Sequence, residues 1–90
     1  MNKNELVKAI SQKANVTKEI AQRTLGATTD IITDTLRNDE TVTLIGFGSF
    51  HIRKRSERDG HNPRTGERMK IRASKSPVFK PGKLLKDAVK

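Results

Sequence analysis

The stretch TVTLIGFGSFHIRKRSERDGHNPRTGERMKIRASK, residues 41–75, decides the fold, because from Thr41 the apolar spacing changes from a helical period to a period of two. Val42 and Leu44 alternate with Thr41 and Thr43, and Phe50 and Ile52 resume the inward positions after IGFG. Residues two apart share one face of a strand, so this is a half-buried β pattern. Gly46 and Gly48 interrupt it, which predicts a tight turn or bend in a hairpin. The Gly-x-Gly is no dinucleotide fingerprint, since neither a third glycine nor a helix start follows. Phe47 and Phe50 read as core or subunit-contact residues ahead of base-stacking platforms.

Past Ile52 the alternation continues while the apolar partners vanish. Arg53, Lys54, Arg55 and Arg58 run out to GHNPRTGE (60–67), and Arg68, Lys70, Arg72 and Lys75 come back, with Met69, Ile71 and Ala73 on the other parity. The expectation is a long two-stranded ribbon over about residues 53–75, cationic on one face and thinly apolar on the other. At ~3.3 Å per residue, about ten residues per strand project its tip roughly 30 Å. A lone two-stranded ribbon is marginal in water, so the arm is expected to be mobile until something orders it. By its residues alone, Pro63 stiffens the turn at the tip.

Outward from this stretch the chain is helical. Asn2 with Glu5 three residues on forms a capping box, and Leu6, Ile10 and Ala14 follow on one helical face. After a short turn at Asn15, a second helix begins past Thr17; Ile20, Ala21, Leu25, Thr28, Ile31, Ile32, Thr35 and Leu36 form its apolar stripe, and it exits near Asn38–Asp39. On the other side, Pro77, Val78 and Phe79 return the chain to the core. Pro81 and Gly82 then open a last helix carrying Leu84, Leu85, Ala88 and Val89. Lys80, Lys83 and Lys86 cluster near its start, either as solvated lysines or as phosphate contacts.

Composition limits what such a chain can do. Its 90 residues make one small domain, with 18 Leu, Ile and Val, three Phe, and no Trp or Tyr. That is too little apolar material to enclose a substrate pocket. Without cysteine there are no disulfides, thiolate metal sites or thiol nucleophile, which suits a reducing cytoplasm. No stretch reads as a signal peptide or a membrane span. His51 and His61 have no partner set for catalysis or for metal. No cofactor, no small-molecule substrate and no enzymatic activity are expected.

Charge carries the functional signal. Residues 1–50 hold six Lys/Arg and six Asp/Glu, residues 51–90 thirteen against four, so the whole net charge of +9 lies in the second part. No bulky amphipathic helix carries these charges, so the field points to nucleic acid ahead of membrane. A two-stranded ribbon is also one of the elements that fit a DNA groove.

From GFGSF (46–50) through Arg55, Arg58 and Gly60 to NPRT (62–65), the chain resembles the bacterial HU and integration host factor family of DNA-bending proteins, from MNKNELV to FKPGKLLKDAVK. The resemblance implies an α+β fold assembled as an intertwined homodimer: a helical dimerisation part over residues 1–40, a three-stranded sheet saddle over 41–80 that carries the arm, and a C-terminal helix over 81–90. It implies arms that enter the minor groove with Pro63 wedged between base pairs as the intercalating residue. About twenty large apolar residues are too few to stabilise one chain alone, so Phe47, Phe50 and Phe79 are the candidates for a dimer core shared with a partner. Gly60, Asn62, Thr65 and Gly66 would make the reversal that presents Pro63. The candidate DNA-binding residues are Arg53, Arg55, Arg58, His61, Asn62, Pro63, Arg64, Arg68, Lys70, Arg72 and Lys75 on the arm, Lys80, Lys83 and Lys86 after it, and Lys3 at the start of the chain. His61, where many relatives carry Arg, and the acidic Glu57 and Asp59 weaken the grip near the tip.

The function read from the sequence is therefore an architectural protein that binds double-stranded DNA, intact or nicked, with little sequence preference, bends it, and compacts a cytoplasmic nucleoid. The alternatives are a sequence-selective bender of the integration-host-factor type and a basic RNA-binding module.

Overall fold

A computed structural model describes residues 1–90, with three helices, a three-stranded antiparallel sheet and a separate two-stranded hairpin, an α+β chain. It forms two compact units, Met1–Thr35 and Leu36–Lys90. No helix is long and apolar enough to cross a membrane.

The first unit holds helix α1 (Lys3–Ala14) and most of helix α2 (Lys18–Arg37). Asn2 caps α1, its Oδ1 accepting from the Glu5 backbone N–H at 2.9 Å, and Thr17 Oγ1 accepts from the Ile20 N–H at 3.2 Å. Each cap satisfies one of the donors that a helix start leaves unpaired. Asn15 ends α1 in the left-handed conformation (φ 56°), which Asn tolerates better than most side chains. The buried face of α1 is shifted from the expected Leu6/Ile10/Ala14 line: Val7 and Ser11 are buried, while Leu6 and Ala14 are exposed. Ser11 tolerates burial because its Oγ donates to the Lys8 carbonyl at 2.7 Å. The threonines of α2 satisfy themselves in the same way, Thr28 on Thr24 and Thr35 on Ile31.

In the second unit, β1 (Val42–Leu44), β2 (Gly48–Arg55) and β5 (Ser74–Pro81) pair in the order β1-β2-β5. Val42 lies opposite Phe50, and Phe50 opposite Phe79, so the expected inward parity runs across all three strands. The β1–β2 turn closes with the Phe47 N–H donating to the Leu44 carbonyl at 2.9 Å. Gly46 has φ 88° at its third position, a backbone that strains any residue with a Cβ. The six-residue helix α3 (Lys83–Ala88) begins after Gly82, whose N–H donates to the Phe47 carbonyl at 2.8 Å and ties the helix start to that turn.

The arm departs from expectation in its pairing. Only β3 (Arg58–His61) and β4 (Arg68–Ile71) form the separate hairpin, whereas Arg53–Arg55 and Ser74–Lys75 belong to the main sheet. The ladder lapses at Ser56–Glu57 and Arg72–Ala73. The pairing offset is the same on both sides of the lapse, so the two ladders form one ribbon with a gap and not two hairpins.

Candidate nucleic-acid interface

Strand alternation sorts the second unit into unlike faces. In the main sheet, Val42, Phe50, Ile52, Pro77 and Phe79 share one face. The other carries Lys80 opposite Ser49, Arg53 opposite Ser76 and Arg55 opposite Ser74. Cations thus face small hydroxyl residues, which leave a guanidinium or ammonium group accessible. The positive surface starts in the body of the sheet and not only on the arm.

On the arm the one-faced cationic pattern is corrected. Arg68 lies opposite His61 and Lys70 opposite Asp59, a face of mixed charge, while Arg58, Gly60, Met69 and Ile71 share the other. Lys70 also pairs with Glu57 at 3.2 Å. Lys75, counted with Arg68, Lys70 and Arg72, instead stands in the main sheet directly across from Lys54. Arg72 falls in the lapse of the ladder.

The tip is built by Asn62. Its N–H donates to the Glu67 carbonyl at 2.8 Å, its carbonyl accepts from Gly66 N–H at 2.8 Å, and its Oδ1 accepts from Arg64 N–H at 2.9 Å. Thr65 Oγ1 accepts from Glu67 N–H at 3.3 Å, and Gly66 reverses the chain with φ 71°. Between these anchors Pro63 and Arg64 are exposed. Proline has no N–H to satisfy and a fixed φ, so this rigid ring stands in solvent with no unmet backbone donor. Gly60, expected in the reversal, lies instead in β3 opposite Met69.

Phe79 sits between the other two phenylalanines, 5.5 Å from Phe47 and 4.8 Å from Phe50 by ring centroids, both tilted. This small cluster remains open, with Phe47 46% and Phe79 37% exposed. Lys83 and Lys86 lie on α3, and Lys3 begins α1 in the other unit.

Two residues outside the expected set, Lys54 and Asp39, form an ion-pair cluster with Lys75 at the root of the arm. Lys54 Nζ and Lys75 Nζ each meet the Asp39 carboxylate at 3.1 Å. Hydrogen bonds from Lys75, then from Lys54, hold the Asp39 carboxyl below the ordinary carboxylate range. Asp39 had read only as a helix exit. The signal for Lys54 was available: it and Lys75 are equally far from the centre of the tip, so a hairpin centred there must place them face to face.

A family model described as bacterial DNA-binding protein matches residues 1–90. The DNA-binding protein HU-beta of Neisseria meningitidis is 52% identical over 89 residues, covering 99% of this chain and 100% of its own. The DNA-binding protein HU of Geobacillus stearothermophilus is 52% identical over 90 residues, with both chains fully covered. An Anabaena HU solved in a cocrystal with DNA superposes with a TM-score of 0.87 at 46% identity, covering 99% of this chain and 97% of that one. Full-length matches in sequence and in backbone place the chain in the HU family of bacterial DNA-binding proteins.

Proposed function

We propose that this chain, as a homodimer, is an architectural protein that grips duplex DNA through the minor groove with little sequence preference and bends it by wedging Pro63 between base pairs. The observation that carries this reading is the tip: three hydrogen bonds to Asn62 hold an exposed proline at the end of a ribbon. Minor-groove architectural proteins, HU among them as a class, use such apolar wedges, recovering the unstacking cost through the wider contact that bent DNA allows. A rigid ring loses little entropy on insertion.

The cations supply the attraction. Arg53, Arg55 and Lys80 on one sheet face, with Arg58, Arg64, Arg68 and Arg72 further out, make no ion pair within the chain and are free to meet phosphates. Phosphate contacts of this kind orient a protein without reading sequence. Nicked or distorted duplexes, already partly unstacked, suit the same wedge. Binding of this kind would organise and compact a cytoplasmic nucleoid, and it requires neither a cofactor nor a chemical step.

Support for the dimer comes from what one chain leaves uncovered. Val7, Ala21 and Leu36 are its only buried apolar residues, while Ile45 is fully exposed, Ile31 and Leu84 largely so and Phe47 nearly half. Its accessible surface is 7840 Å², against about 5,300 Å² for a folded monomer of this mass. A second copy over the Phe47–Phe79–Phe50 cluster would cover the apolar surface left open there, with residues 1–90 acting as one DNA-binding domain.

Competition between duplex DNA and duplex RNA of the same sequence tests the reading, together with footprinting on random and defined DNA. A ribbon suited to the B-form minor groove should prefer DNA and protect random sequence evenly. Equal affinity for the RNA duplex, or one strongly protected site, would contradict it.

A further inference from the structure

Lys54 and Lys75 stand directly opposite each other in the β2–β5 ladder, a position where two like charges repel. Their ammonium groups converge on one carboxylate, Lys54 on Asp39 Oδ2 and Lys75 on Asp39 Oδ1, each at 3.1 Å. Lys75 also donates to the Arg37 carbonyl at 3.3 Å, where the C-terminal end of α2 favours a cation. Asp39 is fixed in place by a left-handed backbone (φ 61°) and by its N–H, which donates to the Leu36 carbonyl at 2.9 Å. With Arg55, Ser56 and Ser74, these three side chains line a shallow concavity at the root of the arm. Lys54, Lys75 and Asp39 keep 65%, 48% and 41% of their side-chain surface accessible, so an incoming anion can reach the pair.

We propose that Lys54 and Lys75 form a site for a DNA backbone phosphate at the arm root, occupied in the free chain by the Asp39 carboxylate until the duplex displaces it. The inference rests on the DNA-binding reading above. Two opposed ammonium groups need a shared anion, and a carboxylate and a phosphodiester each present two oxygens with one negative charge. Exposed ion pairs of this kind are weak, so a phosphate can replace Asp39 at small cost. The latch therefore lowers overall affinity modestly, and it opens only for a duplex engaged down to the base of the arm. A polyanion touching only the tip leaves it closed.

The test is anisotropy titration of a short labelled duplex at low salt with the full chain and its variants. Asp39→Asn removes the competing charge and keeps a residue that tolerates the left-handed backbone, so it should bind about three- to tenfold tighter. Glu40→Gln, the same charge change one residue away, should gain less than twofold. In a Lys54→Gln/Lys75→Gln background the Asp39→Asn gain should vanish. Asp39→Gly, which also accepts a positive φ, should reproduce the gain if Asp39→Asn folds poorly. Equal or weaker binding by both Asp39 variants, or a gain that survives without the two lysines, would overturn the latch. Failure of the parent chain to bind duplex DNA at all would instead overturn the function proposed above.

Discussion

The ring of Phe79 packs against Gly48 so closely that a Cβ on Gly48 would lie 2.7 Å from Phe79 Cζ and 2.6 Å from the Lys80 carbonyl oxygen. No real Cβ sits so near a backbone oxygen, so β2 and β5 must separate to admit one. Gly48→Ala should cost about 1–3 kcal/mol by overpacking. Gly60 offers a contrast, because a Cβ there meets chiefly Ile71 Cδ1 at 2.6 Å, the end of a side chain that can turn away. Gly60→Ala should stay within about 0.5 kcal/mol of the parent. Urea denaturation of the two variants measures both; equal losses would contradict this account of the β2–β5 contact.

The Asp39 ion pairs predict a pH dependence of stability. The folded carboxyl is held below its ordinary value by Lys75 and then Lys54, so its contribution is fully present above the unfolded Asp value of about 4 and is lost as pH falls through the lower folded value. Thermal melts of the parent and Asp39→Asn should therefore diverge at neutral pH relative to strongly acidic pH. Added salt should shrink the divergence, because the pairs are exposed. Parallel melting curves across the acid range would rule the contribution out.

Assembly should be inseparable from folding. The phenylalanine cluster is open on one chain, so the unfolding midpoint should rise with protein concentration, and sedimentation at low micromolar concentration should find a dimer. Phe79→Ala, which removes the ring touching both Phe47 and Phe50, should cost about 3–5 kcal/mol and dissociate the assembly. A folded monomer of the parent chain at that concentration would disprove the shared core.

Binding should be strongly salt-dependent. If the dimer engages roughly six to ten phosphates, affinity should fall by about 10³ to 10⁵ between 50 and 200 mM salt. Substituting Arg55, Arg58 or Lys83 singly should lower the slope of log affinity against log salt by about one and weaken all sequences alike. Loss confined to one sequence would argue for base reading by that side chain.

Local chemistry accounts for which features were legible in the sequence. The caps at Asn2 and Thr17 and the left-handed exits at Asn15 and Asp39 depend on side chains within a few residues of the backbone they serve, so the helix limits could be read directly. The inward row of Val42, Phe50 and Phe79 followed from alternation. The lapse at Ser56–Glu57 did not, because the alternation continues through it and only the hydrogen bonds are missing. Ser11 on the buried face of α1 was hidden for a related reason: its hydroxyl is satisfied by a backbone carbonyl, so its polarity misleads. The Asp39 contact joins residues 36 apart in the chain and needed the register to be seen. Pro63 was legible as a turn residue, whereas its part as a wedge came from family resemblance.

Pro63→Ala tests the central claim most directly. It keeps every Lys and Arg, so the salt slope should hardly change, while the ring that props a base step open is lost. Unstacking costs on the order of a few kcal/mol per step, and without the wedge a linear duplex no longer recovers it. Energy transfer between dyes at the two ends of a short duplex, titrated with parent and variant on intact and nicked DNA, reads the bend. The account predicts a smaller bend and weaker binding by Pro63→Ala on intact DNA, with the deficit shrinking on the nicked duplex. A variant that bends intact DNA as strongly as the parent would show that Pro63 only shapes the turn, and would contradict the wedge.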